Sequence, residues 1–396
     1  MKLVYKSYKF RLNPNAKEEI LIAKHFGSCR FIFNRYLNSR KESYLTKKKS
    51  INYYDNAKDL TLLKKNKDFE WLKEINSQSL QSSLRNLDTA YNRFFRNQAR
   101  FPKFKSKYNK QSFTIPQSVY IKNNKLYIPK FKDGIKINTH RKINGNICFA
   151  TISKSATGKY YTSITCEVKH KPFKKTKSRV GIDTGIKNLA ILSDGTIYEN
   201  IKTLKPNLKK LKYEQRQLSK KKKGGSLRAK QKIRLAKIYE RVSNTRKDYL
   251  HKVSTEIVKN HDIICIEDLS VKNMMKNHHL AQAFSDVALG IFYTMLNYKC
   301  DWNNKTIVKI DKFFPSSKTC NICNFIKQDL SLKDREWTCP SCNTKHDRDI
   351  NASINIRNQG LKILSGLGTK SDIKQKQVEA FSLEESTKPE VSVPCA

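Results

Sequence analysis

Two groups of side chains in this sequence can do chemistry. The first is four cysteines. Cys320 and Cys323 are separated by two residues, and so are Cys339 and Cys342, with fifteen residues between the pairs. A pair at that spacing sets two thiolates on one tight knuckle, and two knuckles complete a tetrahedral sulfur site. Thiolates select zinc over hard cations, and a site filled by four protein ligands is closed and structural. Iron–sulfur ligation shares the same donors, and unpaired thiols that merely recur are the bland reading. The second group is three acids. Asp183 ends the apolar run Val180-Gly181-Ile182 and is followed by Thr184-Gly185. Glu267 ends Ile263-Ile264-Cys265-Ile266. Asp349 stands where a helix begins, just after the second knuckle. Acids at strand ends and a helix start can converge on two divalent cations about 4 Å apart, the arrangement that hydrolyses phosphodiesters. Oxygen donors suit Mg²⁺ or Mn²⁺. Singly, each acid has an ordinary alternative: a turn residue, a surface acid, a helix cap. Asp268 competes with Glu267, and Asp347 with Asp349. Strand alternation puts Glu267 and Asp268 on opposite faces without choosing between them.

The partner follows from charge. The 396 residues carry 80 Lys+Arg against 34 Asp+Glu, a formal net charge of +46. That much charge repels itself unless a polyanion neutralises it. Lysine enrichment from a biased genome explains Lys in place of Arg, but not the excess. Basic runs recur along the whole chain (47–49, 171–177, 220–223, 370–376), which implies a long nucleic-acid track. No stretch approaches the ~20 apolar residues of a membrane span and no signal peptide is visible, so a cytoplasmic location is expected, with reduced thiols. The six cysteines outside the knuckles (Cys29, Cys148, Cys166, Cys265, Cys300 and Cys395) are read as packing or incidental.

The elements that must hold these groups divide the chain. A strand over Tyr5–Leu12 leads through Asn13-Pro14-Asn15, a capping turn, into helical sequence. A stronger helix spans about Gln78–Arg96. Its apolar face is Leu80, Leu84, Leu87, Tyr91, Phe94 and Phe95; the opposite face carries Arg85, Asn92, Arg93 and Arg96, suited to a phosphate backbone. From about Ser112 to Val168 the sequence alternates as strands: Phe113–Ile115, Leu126–Ile128, Ile147–Ile152 and Tyr160–Val168. With the first strand these predict a small β-barrel carrying a helical insertion over about 14–105. Residues 171–178 form a basic linker. A second domain then opens with strands at 180–183, 188–193 and 196–198. Basic helices follow over about 209–259, broken near Gly224-Gly225. A strand at 261–266, a helix over Leu280–Tyr298 and a strand over Thr306–Ile310 complete it. We expect domains at 1–178 and 179–360, with the zinc ribbon at about 315–346, and a polar, poorly ordered tail at 361–396.

Taken together, the motifs resemble the TnpB family of bacterial insertion sequences. The resemblance rests on Gly181-Ile182-Asp183-Thr184-Gly185 with Asn188-Leu189-Ala190, on Ile266-Glu267-Asp268-Leu269, and on Pro315-Ser316-Ser317-Lys318-Thr319-Cys320. Above all it rests on the run Asp347-Arg348-Asp349-Ile350-Asn351-Ala352-Ser353-Ile354-Asn355-Ile356. Tyr8–Leu12 and Phe101–Lys105 also resemble that family, so the likeness covers nearly the whole chain except the tail. It implies an α/β protein with an RNase H-like (RuvC) nuclease domain and an inserted ribbon, preceded by a wedge barrel with a helical recognition insertion. It also implies an RNA-guided DNA endonuclease: a guide RNA from the element's end pairs with one strand of double-stranded DNA next to a short flanking motif. No small-molecule substrate is implied. Asp183, Glu267 and Asp349 would then be the metal ligands, and Gln81 resembles a position that reads the flanking motif. Ser353 stands where the family more often has alanine. Asn324 and Asn343 stand where glycine is commoner, and asparagine tolerates the left-handed turn.

Other readings are a guided binder that has lost cleavage, a strand-joining transposase, and a zinc-ribbon binder without catalysis. The first should lack one or more of the acids, and all three are present. The second finds no obvious His-x-His with a tyrosine nucleophile.

Overall fold

The computed structural model describes residues 1–277, 280–331 and 333–366. The expected tail at 361–396 lies outside the described residues from 367 onward; its first residues belong to the last helix. Two compact units form: Leu3–Lys169, and residues 170–366 together with Met1–Lys2.

In the first unit β1 (Lys2–Leu12) enters α1 (Ala16–Lys47) through Asn15. The Asn15 side chain accepts from the Glu18 N–H, and the Glu18 carboxylate accepts from the Asn15 N–H, a reciprocal cap. Two further helices follow, α2 (Tyr53–Leu63) and α3 (Ser77–Phe95). Leu80, Leu84 and Leu87 are buried, as the periodicity predicts. The face ends sooner than expected: Phe95 is 70% exposed. It sits in the last turn, where its ring meets Tyr91 and Phe94 rather than the core.

The strands are β2 (Gln111–Ile115), β3 (Tyr120–Lys122), β4 (Lys125–Ile128), β5 (Phe131–Asn138), β6 (Asn146–Lys154) and β7 (Tyr160–His170). With β1 they form a seven-stranded sheet in the order β2-β6-β7-β1-β5-β4-β3. The strands read from sequence omit β3 and β5; in β5, Lys132-Asp133-Gly134 breaks the apolar alternation. Gly134 does adopt a left-handed φ of +67°, but inside the strand, where a Cβ would press on the Tyr127 ring at 3.0 Å.

The second unit is built on β8 (Arg179–Asp183), β9 (Asn188–Leu192), β10 (Ile197–Glu199), β11 (Ile263–Glu267) and β12 (Thr306–Ile310). The order is β10-β9-β8-β11-β12. The β10-β9-β8 meander is antiparallel, whereas β11 runs parallel to both β8 and β12. Helices cover both faces. The helices of this unit are α4 (Leu208–Ser219), α5 (Ser226–Asn260), α6 (Val271–Met274), α7 (Ala281–Val287), α8 (Leu289–Trp302) and α9 (Arg348–Leu364), of which α5, α7 and α8 line one face and α9 the other. The single helix expected over Leu280–Tyr298 is two, because Ala288 takes a left-handed φ of 57° between them. Alanine gives no sequence signal for that break.

Alternation along the strands sorts the core into two layers. Val180, Ile182, Ile264 and Ile266 pack with Leu250, Val253 and Ile257 of α5 and with Phe292 and Leu296 of α8. Cys265, Val308 and Ile310 pack on the other side with Ile356 and Ile363 of α9. α9 lies unusually close to the sheet. A Cβ on Gly181 would collide with the Ser353 carbonyl and the Arg357 N–H, and one on Gly360 would collide with the Cys265 thiol. A small hairpin, β13 (Glu336–Thr338) and β14 (Lys345–Asp347), runs directly into α9. Among the described residues no helix is long and apolar enough to cross a membrane.

Candidate functional site

The layering aims the first two acids. Residues 181 and 183 of β8, and 265 and 267 of β11, lie on the α9 face of the sheet. The parallel register aligns Gly181 with Cys265 and Ile182 with Ile266. Asp183 and Glu267 therefore come out side by side at the strand ends, about one strand spacing apart (about 4.8 Å). Asp268 points the other way along the alternation, and its carboxylate lies 3.7 Å from Lys309. That separates Glu267 from its neighbour.

The third acid arrives with α9. Asp347 is the N-cap: its Oδ1 accepts from the Asp349 N–H at 3.0 Å and the Ile350 N–H at 2.9 Å. Asp349 falls in the first turn instead, near enough to Asp183 for that acid to feel its charge. The two acids that the sequence could not separate are thus placed differently: Asp347 caps the helix and Asp349 does not.

Electrostatics register the crowding. Burial first, then the charges of Glu267 and Asp349, push the Asp183 carboxyl up to about 8; the Thr184 N–H and Arg348 pull the other way. Burial also raises Glu267, against a hydrogen bond from the Ser316 hydroxyl at 2.6 Å. Sequence reading does not single out Ser316, Tyr293 or Arg335 as neighbours. The Tyr293 hydroxyl lies 2.6 Å from Thr184 Oγ1, and its ionisation is pushed up by burial and by the nearby Glu267 and Asp183 charges. Arg335 Nη1 lies 3.6 Å from Asp349 Oδ2. All three come from segments remote in sequence, so no local pattern reveals them.

A pH consequence follows. The folded-state value of Asp183 lies above its usual 3.8. The group therefore favours the metal-free fold most below about pH 4, and that contribution is lost as pH rises through about 8. Metal-free wild-type protein should lose melting temperature between about pH 4 and about pH 8 relative to Asp183→Asn, which stays neutral. Parallel melting profiles for the two proteins would contradict this.

The four knuckle cysteines also meet. Their sulfurs all lie within 4.8 Å of one another, with Cys320 to Cys342 at 3.6 Å and Cys323 to Cys339 at 3.5 Å. A tetrahedron of thiolates about 2.3 Å from zinc has edges of about 3.8 Å, so the donor set fits that ion. Each knuckle closes by a backbone bond, Asn324 N–H to Cys320 O and Asn343 N–H to Cys339 O. Both asparagines are left-handed, at φ 63° and 58°, as expected of their substitution for glycine. His346 places Nε2 3.1 Å from the Cys320 sulfur while its ring rests against Trp337. Of the other cysteines, Cys29, Cys166, Cys265 and Cys300 are buried, and Cys148 is half-buried. Cys395 lies outside the described residues.

In the first unit Gln81, Arg85 and Arg93 on α3, and Arg96 at its C-cap, are all exposed. Arg85 stacks on Tyr53, with the guanidinium 5.5 Å from the ring centre.

A protein of Streptomyces pristinaespiralis named "Putative RNA-guided DNA endonuclease" is 34% identical over 365 residues, covering 91% of this chain and 90% of its own. The chain belongs to the TnpB family. A second relative, "Putative RNA-guided DNA endonuclease InsQ" of Escherichia coli K12, is 33% identical over 377 residues, covering 91% of this chain and 93% of its own. Residues 163–278 of this TnpB-family chain match the OrfB family of IS605 elements, described as "Probable transposase". Residues 290–356 match "Cas12f1-like, TNB domain", and residues 1–49 match "Helix-turn-helix domain". In this structure residues 1–49 hold one strand and one long helix. Among solved structures, the protein of a Cas12f1–sgRNA–target DNA complex aligns with a TM-score of 0.55 and 14% identity, over 90% of this chain and 99% of its own. That similarity establishes a shared mixed α/β, multi-sheet fold.

Proposed function

We propose that this chain is an RNA-guided DNA endonuclease of an insertion sequence, cutting with a single RuvC-like centre made of Asp183, Glu267 and Asp349. The observation that carries the reading is the meeting of these carboxylates at a buried strand end, where burial first and then the charges of Glu267 and Asp349 raise Asp183 to about 8, in a chain of net charge +46. Two acids whose charges bear on a third, buried one have a reason to persist in a basic protein if cations join them. Their oxygen donors fit Mg²⁺ or Mn²⁺. When bound, a pair of such ions supplies Lewis acidity and an activated water for in-line hydrolysis.

The chain's own residues do the rest. β8 and β11 fix Asp183 and Glu267 in adjacent register, and the close seat of α9 on Gly181 fixes Asp349 against them. The five-stranded sheet with α9 is the RNase H-like domain of this reading, placed at 179–360, and the four-cysteine segment at about 315–346 is its structural zinc ribbon. Residues 1–178 are the wedge with its helical recognition insertion over about 14–105. Basic side chains bind guide and target through phosphates, while base pairing supplies sequence. Gln81 reads the flanking motif, and Arg85, Arg93 and Arg96 hold backbone phosphates. Removing those three arginines together should flatten the log–log salt dependence of nucleic-acid binding by about 0.7–0.9 per charge lost. An unchanged slope would take α3 out of the interface.

The test is to purify the protein from cells carrying its element, sequence the RNA that accompanies it, and offer a plasmid matching that RNA. Cleavage at the match, in Mg²⁺ and not in its absence, is expected. Failure to retain a defined RNA, or cutting that ignores its sequence, overturns the proposal.

A further inference from the structure

We infer that Ser316 is a positioning residue for the cleavage centre: its hydroxyl pins one oxygen of Glu267 and leaves the other for a cation. This rests on the divalent-metal reading above and adds to it a residue outside the acid set.

Ser316 is 8% exposed, and its Oγ donates to Glu267 Oε1 at 2.6 Å. A glutamate has three side-chain torsions, so an unheld Glu267 loses conformational freedom whenever a cation binds. A buried donor of fixed position removes that loss in advance and leaves a defined lone pair facing the site.

Ser316 is itself held. Its carbonyl accepts from Asn355 Nδ2 at 2.8 Å, and the same amide donates to the Thr319 carbonyl at 2.6 Å. Asn351 adds a bond from its Nδ2 to Thr319 O at 2.7 Å and accepts from the Asn321 N–H at 3.0 Å. Between these anchors, the N–H groups of Lys318 and Thr319 both donate to Pro315 O. Asn351 and Asn355 are nearly fully buried on α9, within two turns of Asp349. The helix that carries one acid thus grips the segment that steers another. Cys320, the first knuckle cysteine, is the next residue after Thr319, so the ribbon is attached at the same point.

The arrangement exceeds what folding alone requires. A buried serine at the start of a turn can satisfy its hydroxyl on a nearby carbonyl, as Thr319 does on Pro315 O at 2.8 Å. Ser316 instead commits its proton to a carboxylate at the end of β11.

The experiment measures Mn²⁺ binding by electron paramagnetic resonance, using full-length, zinc-loaded protein washed free of RNA. Wild type, Ser316→Ala, Ser316→Thr and Glu267→Gln are compared, with zinc content and melting temperature recorded for each. Ser316→Ala deletes one oxygen, so zinc content and melting should stay near wild type. Its Mn²⁺ affinity should fall roughly 10-fold, the low end for loss of an outer-shell partner. Ser316→Thr keeps the hydroxyl and should recover most of that loss, which a purely structural role would not predict. Wild-type affinity in Ser316→Ala, with Glu267→Gln clearly weakened, would overturn the positioning role and leave the metal site standing. Equal binding by wild type and Glu267→Gln would remove the metal site, and this inference with it.

Discussion

Replacing Asp183 by alanine should abolish DNA cleavage while leaving RNA binding close to wild type. The site geometry gives the reason. Asp183 is the acid most enclosed by the others: burial and the charges of both Glu267 and Asp349 act on it. A cation shared among the three would lose its central ligand. Metal-assisted stabilisation is worth several kcal/mol in the transition state, so a loss of about 10³-fold or more is expected. RNA binding depends on basic side chains spread along the chain, and removing one acid does not weaken them. The check is plasmid cleavage with the accompanying RNA alongside a gel-shift measurement of RNA affinity. Cutting at a wild-type rate in Mg²⁺ would show that the reacting phosphate lies elsewhere. Asp268→Ala and Asp347→Ala should be much milder. The first acid faces Lys309, and the second caps α9. Loss of a cap costs about 1 kcal/mol of stability and removes no ligand.

The second large effect is expected at the ribbon. Cys320→Ser or Cys339→Ser should strip zinc and destabilise the last third of the chain. Both residues are fully buried, and with Leu330 and Trp337 they make up most of the ribbon's small core. So few apolar side chains cannot hold a segment of that length without a staple. Structural zinc contributes on the order of 10 kcal/mol to small ribbon-like folds, and a lost thiolate removes much of it. The effect should reach the cleavage centre, since Cys320 adjoins the segment gripped by Asn351 and Asn355. Zinc content, melting temperature and limited proteolysis across residues 320–345 measure it. A variant with full zinc and an unchanged melting profile would count against the ribbon.

Much of this architecture was legible because its signals are local. Val180–Asp183 and Ile263–Glu267 are short apolar runs ending in an acid, which is how a buried parallel strand delivers a side chain to its edge. The cysteine spacing fixes two knuckles whatever surrounds them. Asn15 caps α1 because asparagine and Glu18 are correctly spaced for a reciprocal cap. What escaped depends on contacts distant in sequence. The strand at Phe131–Asn138 hides behind Gly134, whose left-handed conformation normally marks a turn but here makes room for Tyr127. The break at Ala288 carries no compositional mark. The choice between Asp347 and Asp349 needs the cap geometry, and the choice between Glu267 and Asp268 needs to know which face α9 covers. Ser316 belonged to a recognisable motif, yet its contact with Glu267 spans 49 residues and has no periodicity to betray it.

The most direct measurement is anomalous diffraction at the manganese edge from crystals of the full-length protein grown in Mn²⁺. Peaks bridging the carboxylates of Asp183, Glu267 and Asp349 are predicted, with none in the Asp183→Ala protein. Manganese bound only at other positions, or the three side chains turned toward separate surroundings, would contradict the account and leave a basic, zinc-bearing protein without a cutting site.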